Sequence, residues 1–160
     1  MGKRRILPLL LALVLVFSGC SGRKSKTTEN GTDYLTIIRQ DLYGQDTELN
    51  RAMERSVSLK IVRVEEDSIT VTVTAPDVCQ EALNWLETVS DEDFTEQALR
   101  QKLISLMEGK PQSRQFTLKL QDGNVIYTND FLNAASCGVR RFHTALEVML
   151  MEEMEESIDD

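Results

Sequence analysis

The chain has 160 residues, with 26 Asp and Glu against 18 Lys and Arg and a formal charge of −8. That length suits a single domain, and the acid excess excludes a nucleic-acid binder, which needs a basic footprint to neutralise phosphates. The one histidine and three cysteines do not stand at the ligand spacings of zinc sites, so no metal and no cofactor is expected.

The first segment reads as an export signal. Lys3, Arg4 and Arg5 precede an uncharged run from Ile6 to Phe17, interrupted only by Pro8. A membrane-spanning helix needs roughly twenty apolar residues, and this run is shorter. A basic flank, a short apolar stretch and small residues after it are the marks of a secretory signal peptide, here residues 1–19. Ser18 and Gly19 supply the small residues, and Cys20 follows them directly.

The tetrapeptide "FSGC" at 17–20 resembles the lipobox of bacterial lipoproteins, with Phe17 where Leu is most frequent. The resemblance covers residues 1–21. It implies that the Cys20 sulfur receives a diacylglyceryl group and that cleavage before Cys20 makes it the first mature residue. It also implies a lipid anchor on the outer side of the cell membrane, at a Gram-positive surface rather than an outer membrane. The chemistry agrees, because a thiolate is a strong nucleophile and two acyl chains anchor stably where one binds only marginally. A plain secreted chain or an uncleaved anchor is the alternative. Removing residues 1–19 takes away three cations and no acid, so −8 becomes −11.

Residues 20–32 form the lipidated terminus and a tether of Ser, Thr, Gly, Lys and Asn without a large apolar residue. A coil of that length spans about 20 Å, and Arg23, Lys24 and Lys26 lie where an acidic membrane surface would attract them. A single domain is expected over 33–157, followed by an acidic tail at 158–160.

Within the domain, Tyr34, Ile37, Ile38 and Leu42 recur at helical spacing, with Asp33 as cap and Gly44 as stop. Leu49, Ala52 and Met53 predict a second helix. The period then changes to two: Leu59 and Ile61 on one strand, Ile69, Val71 and Val73 on the next, with Glu65, Glu66 and Asp67 between them. Thr70, Thr72 and Thr74 take the opposite face. After Pro76 come two helices, one carrying Val78, Ala82, Leu86 and Val89. The next carries Phe94, Ala98, Leu99, Leu103, Leu106 and Met107, opens on Ser90 and Asp93 as a capping box, and ends at Gly109 and Pro111. Phe116, Leu118 and Leu120 alternate into a "DGN" turn, a second hairpin. A last continuous helix is predicted from Asn129 or Asp130, with Leu132, Ala135, Val139, Phe142, Leu146 and Met149 on its stripe.

The order is α-α-β-β-α-α-β-β-α, which predicts an α+β fold: one antiparallel sheet of two β-hairpins with helices on one face. That order looks like that of small uncharacterised lipoproteins of Gram-positive bacteria. Besides Cys20, two cysteines remain in the mature chain. Outside the cytosol Cys79 and Cys137 could form a disulfide, but on the predicted last helix Cys137 falls almost opposite the apolar stripe, which favours two unpaired thiols.

No catalytic set assembles. The acidic pairs (Glu65 with Glu66, Asp91 with Asp93, Glu152 with Glu153) fall in turns and ends, where solvated charge is the better reading. His143 borders the last apolar stripe and reads as a packing residue. Trp85 reads as a core-closing side chain, the alternative being an interface anchor. The hydroxyl face of the sheet, with Thr117 and Lys119, is a candidate platform or an edge for strand addition. The functional expectation is a membrane-anchored extracytoplasmic lipoprotein with a non-enzymatic, protein-binding or accessory domain. The alternatives are a small-ligand binder with a pocket between sheet and helices, or a hydrolase with an unrecognised site.

Overall fold

A computed structural model describes residues 33–90 and 92–156. The signal peptide, Cys20, the tether and the tail at 158–160 lie outside the described residues. Among the described residues six helices and four strands follow one another: α1 (Tyr34–Tyr43), α2 (Glu48–Ser56), β1 (Ser58–Val64), β2 (Ser68–Ala75), α3 (Cys79–Thr88), α4 (Glu96–Leu106), β3 (Gln112–Gln121), β4 (Asn124–Ile126), α5 (Asn129–Ala135) and α6 (Val139–Glu156). The strands lie in chain order in one sheet, every neighbouring pair antiparallel. The α+β architecture expected from the sequence is therefore the observed one, with β2 and β3 paired across the two-helix connection.

The apolar alternation of β2 sets the inside of the sheet. Ile69, Val71, Val73 and Ala75 are buried, and Leu118 and Val125 join them from β3 and β4. Every described helix contributes to the same core, with Ile38, Met53, Leu86, Leu103, Phe131 and Phe142 among the buried side chains. Phe131 is fully buried, set edge-on to Phe116 at 5.7 Å and stacked on Tyr127 at 5.6 Å. Trp85 packs against this core and against Phe94, with ring centroids 6.1 Å apart.

Side-chain caps start most helices. Asp33 accepts from Thr36 N–H at 3.2 Å, Thr47 from Asn50 N–H at 3.1 Å, and Thr128 from Phe131 N–H at 3.3 Å. Each satisfies a backbone donor that the first helical turn leaves without a partner. The cap of α4 differs from expectation. Ser90 and Asp93 do bond to one another, but they close a turn ahead of the helix. Thr95 is the cap, accepting from Ala98 N–H at 3.0 Å, so Phe94 precedes α4.

The second difference is larger. The continuous last helix is two helices, broken at Ser136–Cys137–Gly138. Cys137 has φ +53° and Gly138 φ +79°. Gly138 N–H donates to Asn133 C=O at 2.8 Å and Cys137 N–H to Ala134 C=O at 3.1 Å, the paired bonds of a Schellman ending. The break rotates the chain so that Cys137 points inward and is fully buried, and Phe131 replaces Leu132 as the deepest residue of α5. Cys79, at the first position of α3, is buried as well, and the two cysteines are separate thiols rather than a disulfide. Tyr43 O–H donates to Ala135 C=O at 2.7 Å, tying α1 to the end of α5.

Candidate functional sites: the open sheet face and the cleft at its end

The register fixes what the outer face of the sheet presents. Ser58, Thr74 and Ser113 stand in one row across three strands; Lys60, Thr72 and Gln115 in the next; Arg63, Thr70 and Thr117 in the third. Ser68, Lys119 and Ile126 form the fourth row. Thr74 and Ser113 hydroxyls lie 2.7 Å apart and Thr70 and Thr117 hydroxyls 3.4 Å apart. Thr117 and Lys119 are exposed and the β2 threonines half-buried, so no helix covers this face. Its strand positions carry three cations, Lys60, Arg63 and Lys119, and no carboxylate, on a chain that is acidic as a whole. Arg63 is partly neutralised by Glu65 of the β1–β2 turn, at 2.7 Å.

The edge is a poorer platform than the face. Along β1 the register slips between Ile61 and Arg63, leaving Val62 as an extra residue. A bulge and outward cations are the devices by which natural sheets discourage added strands, and β4 offers only three residues. Strand addition, one of the two sequence readings of this surface, is therefore disfavoured, although Val62 and Val64 are exposed.

A second feature lies where β2 leaves the sheet. Here β3, the α5–α6 corner and the β2–α3 link surround a shallow cleft whose enclosed space is about 20 Å³, the rest being open to solvent. Its base is apolar, with Val73, Ala75, Pro76 and Ala134; its polar groups are Asp77, Gln112, Arg114, Asn133 and Arg141. Asp77 is fixed from two sides. It accepts from Cys79 N–H at 3.2 Å, and both its oxygens accept from Arg141 Nη2, at 3.0 and 2.9 Å. The Cys79 side chain first, and the Asp77 charge after it, favour the charged form of the Arg141 guanidinium, with burial opposing them. Beneath the corner, burial pushes the Cys137 thiol up to about 12, with the nearby Asp77 charge adding to the effect. A thiol held protonated is a poor nucleophile, so Cys137 belongs to the packing.

The sequence-stated site residues thus separate. Cys20 lies outside the described residues. Cys79 and Cys137 flank one corner of the core. His143 is buried on α6 with Nδ1 3.6 Å from Glu147 Oε1, in keeping with a packing role. Asp77, Arg114, Asn133 and Arg141 escaped sequence reading because they come from four separate segments. The one local sign was an Asp directly after Pro76 and two residues ahead of a helix. Among the described residues no group of His, Cys, Asp and Glu could hold a metal ion, and no helix is long and apolar enough to cross a membrane. No known family, curated protein or solved structure matches this chain.

Proposed function

We propose that this chain is a lipid-anchored lipoprotein of the outer side of a cell membrane, whose domain binds another protein through the open face of its sheet. The reading joins two independent features. The "FSGC" resemblance supplies the anchor at Cys20, and the tether gives the domain about 20 Å of reach from the lipid. The observation that carries the binding role is the uncovered sheet face, a flat array of hydroxyls, amides and three cations opposite a face that takes all the described helices. The proposed role is recognition rather than catalysis.

The test is site-specific photo-crosslinking in the native cell. A photoreactive residue at position 72 samples the open face; one at position 81, on the exposed side of α3, samples the helical side. The reading expects one enriched protein from the position-72 variant and none from position 81. Identical captures from both positions, or none from position 72 in a lipidated chain, would overturn it.

A further inference from the structure

The cleft holds a polar group that the fold does not use. Arg114 lies on the helix-facing side of β3, opposite Val73 in the register, where its neighbours Phe116 and Leu118 enter the core. It is nevertheless exposed, and it lines the cleft. Arg39, Arg51, Arg63, Arg100 and Arg141 each pair with an acid, whereas Arg55, Arg114 and Arg140 have no ion pair among the described residues, and of these three only Arg114 lines the cleft. Arg114 has no ion pair or hydrogen bond among the described residues, nor do the side-chain amides of Gln112 and Asn133 beside it. Three uncommitted polar side chains from two elements therefore face one space.

We propose that this cleft binds the carboxylate of a ligand with a small apolar neighbour, Arg114 being the principal donor. A guanidinium presents a planar fork matched to a carboxylate, and the two carboxamides add donors that fix its orientation. The lining carries two guanidiniums and one carboxylate. Asp77, the carboxylate, is already engaged by Arg141 Nη2 and Cys79 N–H, so the uncompensated charge is that of Arg114. One free cation beside Asp77 suits a monoanion. A phosphate dianion would meet more repulsion from Asp77 for the same single partner. The base of Ala75, Pro76 and Ala134 suits a methyl or similar group next to the carboxylate. Two sources share this chemistry: the C-terminus of a polypeptide ending in a small residue, and a short free carboxylic acid. The site lies on the helix-bearing side and does not depend on the role given to the open face.

The experiment uses the full mature lipoprotein in detergent, with nitrogen-labelled arginine and asparagine, titrated with N-acetyl-Ala-Ala, its C-terminal amide, propionate and inorganic phosphate. The expected result is a saturable shift of the Arg114 Nε–Hε and Asn133 side-chain signals with the peptide acid and none with its amide. Arg114→Gln should weaken that binding at least tenfold and Arg140→Gln should not change it. An unchanged thermal midpoint for Arg114→Gln separates a lost ligand contact from a lost fold. Propionate matching the peptide acid assigns the site to short acids; a peptide at least tenfold tighter assigns it to a polypeptide terminus. Acid and amide acting alike, no saturable shift, or phosphate binding more tightly than either acid overturns the proposal.

Discussion

Gly138 and Asp77 share a space that holds only one of two side chains. A Cβ at Gly138 would fall inside contact distance of Asp77 Oδ1, with Cys79 N 3.4 Å away. Gly138 also sits at φ +79°, a region that costs an L-residue about 1–2 kcal/mol. The corner between α5 and α6 and the start of α3 are thus joined through a carboxylate that reaches Arg141 and Cys79 N–H at once.

This coupling gives the first prediction. Gly138→Ala should lose about 3 kcal/mol in urea unfolding, the backbone cost plus a displaced Asp77. Asp77→Ala alone should lose about 1–2 kcal/mol, for the helix-start bond and a part-exposed ion pair. Gly138→Ala placed in an Asp77→Ala background should cost clearly less than in the parent. Strict additivity would show that the two residues do not compete for space.

The two sheet faces should respond differently. Ile69 is fully buried, and Ile69→Ala should cost about 2–5 kcal/mol. Thr72→Val on the open face should stay within about 0.5 kcal/mol. A large loss at Thr72 would mean that something covers the outer face.

Alkaline pH should unfold the domain through Cys137. Its thiol rises from 9.0 to about 12 in the folded chain, so above pH 9 only the unfolded thiol ionises. The associated stability is complete below pH 9 and is lost progressively up to pH 12. By pH 10.5 the loss should reach about 2 kcal/mol. Tyr43, held protonated by burial and then by the Cys137 charge, adds to the loss above its ordinary value of 10.0. Cys137→Ala should flatten the stability curve between pH 9 and 10, where the tyrosine has yet to contribute.

The thiols should also behave as two separate groups. Iodoacetamide should leave Cys79 and Cys137 untouched in the native chain and modify both after unfolding without reductant. Two unmodified cysteines in the unfolded, unreduced chain would reveal a disulfide instead.

At the N-terminus, Cys20→Ala should release the chain from membranes in a fractionation experiment. Retention as tight as that of the parent would refute the lipoprotein reading.

The sequence by itself determined what depends on neighbours along the chain. The alternation of "SITVTVTA" decides which face of β2 is buried, because successive strand side chains point to opposite sides. Asp33 announces α1, because a cap acts within one turn. The proposal of an export signal ending in a lipidated Cys20 likewise rests on contiguous residues alone, 1–20. The tertiary structure decided what depends on distance. The spacing from Leu132 to Phe142 keeps its threes and fours straight across the break, so periodicity could not reveal that Cys137 adopts φ +53° and turns inward. Ser90 and Thr95 both precede helical residues by a plausible interval, and packing of Phe94 on Trp85 accompanies the choice between them. The cleft takes Asp77 from one link, Arg114 from a strand and Asn133 from a helix. Only the pairing of β3 with β2 and the Schellman corner bring those three together, because no local pattern encodes a meeting of segments tens of residues apart.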